Sequence, residues 1–196
     1  MSVPLGEISR ERMIQAVENV RNRLMRATRL LAEANVPYAV IGDHAAAAWT
    51  ESIDPSAVRT PVDVELLIRR TDFLFVTGAL EKGHFQHCRF DGIDLFFDGE
   101  DRILRNAVRV FFANENPIPN AILPLPDVAE SNTSIASFRV LSLHQTVCSF
   151  LISFCRKDRM HLCDFIDIGL VDSTWPAKFP PELGSRLQSL LDDPDG

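Results

Sequence analysis

The chain has 196 residues, 46% of them hydrophobic, and a formal net charge of -7. A chain of that length can bury roughly 70% of its unfolded surface around one core. The negative charge argues against a general nucleic-acid coat or a membrane-surface protein, because both need a cationic footprint. Cys88, Cys148, Cys155 and Cys163 form no CxxC pair and no metal-finger spacing, and nothing resembles a signal peptide or a long apolar run. The expectation is a cytoplasmic protein with reduced thiols, Cys148 and Cys155 sharing one face of a helix as core thiols.

From about Ile8 to Ala34, apolar residues at Met13, Val17, Val20, Leu24 and Leu31 recur at helical spacing. The other face carries Arg10, Arg12, Arg21, Arg23, Arg26 and Arg29, a possible contact for RNA or an acidic partner, and the helix could pair in a homodimer. Asn35-Val36-Pro37 ends it, and Tyr38 to Ile41 reads as a short buried strand stopping at Gly42. A second helix starts at once with His44 and the alanines that follow. After a loop, Val62 to Ile68 reads as a strand, then a helix runs from Asp72 to Glu81 and stops at Gly83.

Phe85 to Phe90 and Ile93 to Phe97 are two strand-like runs joined by Asp91-Gly92, the strongest short hairpin signal available. Val108 to Ala113 is a further strand, and a proline-rich passage leads to Phe138-Arg139-Val140-Leu141. Ser142 and Gln145 have capping-box spacing before an apolar helical stripe, with further helices at Arg159 to Gly169 and Glu182 to Leu191. The expected plan is a mixed α/β (α+β) core of four or five strands. Its segments are a long N-terminal helix over 1–36, the core over 37–141 and a helical C-terminal part over 142–196.

Three features carry chemistry. Asp63 and Glu65 are i and i+2 on a strand, so they stand side by side on one face while Val62, Val64, Leu66 and Ile68 fill the other. Like charges there are costly without a cation, and a divalent metal is the obvious one. The Gly42 turn opens a helix whose free N–H groups attract phosphate. Asp94, on the hairpin, offers a third carboxylate; three convergent carboxylates can hold magnesium ions that bridge triphosphate oxygens. His161 and Asp164, at i and i+3, are expected to pair with each other, whereas His84 and His87 on a strand face opposite sides.

Across nearly its whole length the chain resembles the nucleotidyltransferase superfamily with the DNA-polymerase-beta-type palm, and within it small bacterial minimal-nucleotidyltransferase-like proteins, some of them from toxin–antitoxin systems. Val36 to Ala45 is similar to the family's strand and glycine turn, Asp63-Val64-Glu65-Leu66-Leu67 to its acid-x-acid strand, and Gly92-Ile93-Asp94-Leu95-Phe96 to the strand with the third acid. Arg156 to Asp164 resembles its helical tail. The resemblance implies transfer of a nucleoside monophosphate from a nucleoside triphosphate to an acceptor hydroxyl on RNA, protein or a small molecule. Asp63, Glu65 and Asp94 would bind Mg2+ and act in catalysis; Gly42, Asp43, His44 and Lys157 would seat the nucleotide. The chain departs from the family pattern at Asp43, where glycine or serine is usual, at Glu65, usually aspartate, and at Phe150, where close relatives carry lysine. These departures define the alternative, a catalytically inactive member acting as a binding or regulatory module.

Overall fold

The computed structural model describes residues 5–99, 103–133 and 135–193; the outermost residues of the expected N- and C-terminal segments, 1–4 and 194–196, lie outside them. Helix α1 (Leu5–Glu33) precedes strand β1 (Ala39–Ile41), helix α2 (Gly42–Glu51), strand β2 (Val64–Ile68) and helix α3 (Phe73–Lys82). Strands β3 (Phe85–Phe90), β4 (Ile93–Asp98) and β5 (Ala107–Phe112) follow, then the two-residue strands β6 (Ser131–Asn132) and β7 (Val140–Leu141). Helices α4 (Leu143–Ser153), α5 (Arg156–Asp167) and α6 (Pro181–Asp192) complete the chain. No helix among the described residues is long and apolar enough to cross a membrane.

One sheet holds all seven strands, in the order β3-β4-β5-β2-β1-β7-β6. The expected five strands form its body; β6 and β7 are too short to leave a period-2 signal in the sequence and add an edge to it. Asp91 and Gly92 both take positive φ, 50° and 77°, the left-handed pair that a tight hairpin needs. β2 runs parallel to β5 and antiparallel to β1.

Strand alternation gives the sheet two different faces. Leu66, Val110 and Phe96 turn to one face, where Val20, Leu24, Ala27 and Leu31 of α1 close a core with Val76 and Leu80 of α3. Arg23 and Arg26 of α1 reach down to Asp98 at 3.6 and 2.7 Å, so part of the arginine face is used inside the fold. Met13, Ile14 and Val17, one to two turns earlier, are exposed. A second core joins Ala46 of α2 to α4, α5 and α6 through Leu151, Phe165 and Leu187. Cys148 and Cys155 do not share a helix: the chain breaks between α4 and α5 at Phe154, with φ of 47°, leaving Cys148 buried and Cys155 exposed, both as free thiols.

Leu31 has no exposed surface, so Leu31→Ala is expected to cost about 2–5 kcal/mol in urea unfolding. Met13→Ala, on the exposed half of the same helix, should stay within about 0.5 kcal/mol. Equal losses at both positions would refute this division of α1.

Candidate functional site

The site grows from the antiparallel pairing of β1 and β2, which sets Ile41 opposite Glu65. The next residue, Gly42, turns into α2 with φ of 63° and lies so close to β2 that an added Cβ would fall 1.9 Å from the Glu65 carboxylate. Glycine is therefore required here twice, for its conformation and for the close approach. The same contact means that Glu65 covers the turn expected to receive a phosphate.

Asp43, in the first turn of α2, is buried and yet ionic. Lys157 and His161 stand four residues apart on α5 and so share a face. From it Lys157 Nζ lies 2.9 Å and His161 Nε2 3.1 Å from Asp43 Oδ1, while the Val62 N–H donates to Asp43 Oδ2 at 3.3 Å. Burial opposes ionisation of Asp43, but these hydrogen bonds and the lysine charge outweigh it and hold the carboxyl far below its ordinary range. Lys157 is the converse case: burial works against its charge, and Asp43, Glu65 and Asp63 overcome that and raise its pKa. Phe150 of α4 stacks on the His161 ring with centroids 5.4 Å apart and planes at 22°. The Phe150 ring thus orients a histidine.

Asp63 and Glu65 share one face of β2, as their spacing requires. Arg109 of β5 is the residue directly paired with Glu65, and its Nη1 lies 3.5 Å from Asp63 Oδ2 and 3.6 Å from Glu65 Oε1. Lys157 Nζ adds a contact to Asp63 at 3.6 Å. Burial raises the pKa of Glu65, against the pull of Lys157 and Arg109.

Asp94, expected to complete the acid set, is not brought to it. Its register partner on β5 is Val110, whereas Arg109 pairs with Leu95, so Asp94 belongs to the opposite face from Glu65. There it is buried and bonded to His87 Nε2 at 2.9 Å. His161 and Asp164 do not pair with each other either: Asp164 takes a two-pronged bond from Arg59 at 2.5 and 2.8 Å, tying the segment before β2 to α5. His44 is buried, and burial pushes its pKa down to about 4 despite the opposing charges of Asp43 and Asp63. Arg109, Arg59 and the Asp43–His161 contact were not foreseen. Arg109 is the one charged residue in the β5 sequence, and only the pairing of β5 with β2 reveals what it faces.

The donor set does not fit magnesium. Magnesium demands near-ideal octahedral oxygen ligation, and the carboxylates facing the cleft are already ion-paired with a guanidinium and an ammonium group. Among the described residues no three His, Cys, Asp or Glu side chains are gathered so as to hold a metal ion.

The architecture is the nucleotidyltransferase fold. Over 84% of this chain and 94% of the other, it superposes on the crystal structure of ANT(2'')-Ia in complex with adenylyl-2''-tobramycin, with a TM-score of 0.53 and 12% identity. A nucleotidyltransferase-like antigenic protein from Paracoccidioides brasiliensis matches over 88% of each chain, with a TM-score of 0.55 and 19% identity. At such identities what is shared is the fold. No family model and no curated protein matches the sequence.

Of the shifted groups, His44 and Asp43 make stability fall in acid. A folded chain with His44 held near 4 resists a proton that the unfolded chain binds below 6.5, so its contribution is full above 6.5 and fades as pH drops towards 4. Asp43, depressed in the folded state, contributes above the ordinary carboxylate range of about 4 and is lost below it. The thermal midpoint should therefore drop in two stages, one between about pH 6.5 and pH 4 from His44 and one that begins below about pH 4 from Asp43, and His44→Phe should remove the upper one. Persistence of that stage in the variant would assign it elsewhere.

Proposed function

We propose that this chain is a nucleotidyltransferase-fold protein that acts by binding, as a regulatory or partner-recognition module, without metal-dependent nucleotidyl transfer. The observation that carries the reading is Arg109, paired in register with Glu65 and within ion-pair distance of both acids, 3.5 Å from Asp63 and 3.6 Å from Glu65. At an effective dielectric near 20, unit charges about 4 Å apart interact by about 4 kcal/mol, and a divalent ion doubles the repulsion from each cation it meets. Magnesium entering between Asp63 and Glu65 has to displace Arg109 and work against Lys157 as well. The groups expected to seat a triphosphate point the same way. Gly42 is covered by Glu65, Asp43 is an anion at the helix start, Lys157 is engaged by Asp43, and His44 is buried and neutral.

A second reading, nucleotidyl transfer from a nucleoside triphosphate with Mg2+, is favoured by the fold shared with ANT(2'')-Ia, whose structure holds an adenylylated tobramycin. Its acceptor would be an RNA, a protein or a small molecule with a free hydroxyl.

One experiment separates the two. The full chain is incubated with Mg2+ and each of the four labelled nucleoside triphosphates in the presence of RNA, protein and tobramycin, and Mg2+ and MgATP binding are measured by calorimetry. No label transfer and no Mg2+ binding below about 1 mM are expected. Arg109→Asp, which places a third carboxylate beside Glu65, should gain Mg2+ binding. Label transfer by the wild type that disappears in Asp63→Asn would overturn the proposal and establish the second reading.

A further inference from the structure

Met13, Val17, Val20, Leu24, Ala27 and Leu31 follow one another at alternating steps of four and three, the spacing of a coiled-coil seam. The core uses only the later part of it. From Val20 onward the seam is buried against the sheet, whereas every residue from Arg10 to Asn19 is exposed, with Met13, Ile14 and Val17 at 68%, 51% and 43%. Nearly three turns of α1 therefore stand clear of the core. A helical segment of that length is marginal in water without a packing partner, and this one also presents three large apolar side chains along one side. The stripe runs on into an open hollow of about 360 Å³ between α1, α2 and residues 135–138, where Val17, Val20, Arg21 and Leu24 form the α1 wall. Glu51 and Thr60 line it beside Ala48, Pro61 and Ile135, the mixed character of a contact surface.

We infer that the exposed half of α1 is the docking surface for the same helix of a second copy, the two helices lying antiparallel about a two-fold axis at Ile14. Charge decides the direction. Arg10 and Glu18 stand four residues before and four residues after Ile14, so the antiparallel pair sets the arginine of each copy beside the glutamate of the other, twice by symmetry. A parallel pair would set Arg10 against Arg10 and Glu18 against Glu18. In the antiparallel register Ile14 meets its own counterpart, and Met13 falls level with the gap between the partner's Ile14 and the partner's Val17. The cores do not collide. Each begins at Val20, six residues beyond the axis, so the two are about 18 Å apart along the helix pair at 1.5 Å per residue. The first turns of each helix then run over the hollow of the other copy. Three turns from each partner make a small interface and hence a weak dimer. The contact takes nothing from the acid cleft, and it holds whether that cleft binds or catalyses.

Sedimentation velocity of the full chain tests the dimer. The mass should move from 22.0 kDa towards twice that value as the concentration rises from about 5 to about 500 µM, with a Kd of roughly 20–200 µM for an interface this small. Such a dimer is dissociated in dilute solution. Ile14→Asp sets two carboxylates against each other on the axis and should weaken dimerisation at least tenfold, with the circular dichroism of the core retained because Ile14 is exposed. Arg10→Glu or Glu18→Arg alone creates two like-charge contacts and should weaken it about fivefold at low salt, and the two substitutions together should restore it. A mass fixed at 22.0 kDa up to about 500 µM overturns the inference and leaves the stripe to a different chain. A dimer that Ile14→Asp does not weaken also overturns it, and a double charge variant no better than the singles refutes the antiparallel pairing.

Discussion

The structure depends on one buried charge. Asp43 sits at the joint where β1 becomes α2, and the two groups that neutralise it, Lys157 and His161, come from a helix more than a hundred residues later. That arrangement couples the sheet with its α1 and α3 layer to the second core of α4, α5 and α6. A carboxylate removed from water without partners is among the most expensive things a fold can contain. The docking angle of α5 is therefore constrained by chemistry as well as by packing. Phe150 supports the same joint by stacking on His161, and the Arg59–Asp164 pair repeats the link on the solvent side.

With that joint in place, the cleft beneath it is electrostatically closed. Asp43, Asp63 and Glu65 bring up to three negative charges, and Lys157 and Arg109 return two positive ones. The raised pKa of Glu65 follows because burial and its two neighbouring carboxylates weigh more than the two cations. An acid-x-acid strand ordinarily poses a problem of like charges, which an external cation solves. Here the β2–β5 register solves it from within the chain. Fold and chemistry separate at this point, since a palm scaffold guarantees the placement of the strand but not the identity of the residue beside it.

Much of the fold was legible in the sequence because its signals are local. The α1 periodicity, the Asp91-Gly92 turn and the Ser142 cap each depend on residues within a few positions of one another, and the hydroxyl of Ser142 does accept from the Gln145 N–H. The pairing of Asp63 with Glu65 on one face was legible for the same reason. Asp94 was misplaced because its face depends on how β4 registers against β5, and β5 against β2, two non-local alignments that a one-residue slip would reverse. His161 looked like a partner for Asp164 by helical spacing, yet both residues found stronger partners at long range. Strands β6 and β7, at two residues each, are created by pairing and have no pattern of their own to read.

Asp43, Phe150, Glu65 and Arg109 acquire a common physical sense when taken together. Asp43, an anion at the helix start, would repel a triphosphate there, and it serves as the anchor for Lys157 and His161. Phe150 supplies the surface on which His161 stacks. Glu65 lays its carboxylate over Gly42. Arg109 then compensates the pair that remains. As a set they build an ion network satisfied from within the chain. That consistency favours a cleft shaped for structural closure over one that has merely lost a ligand.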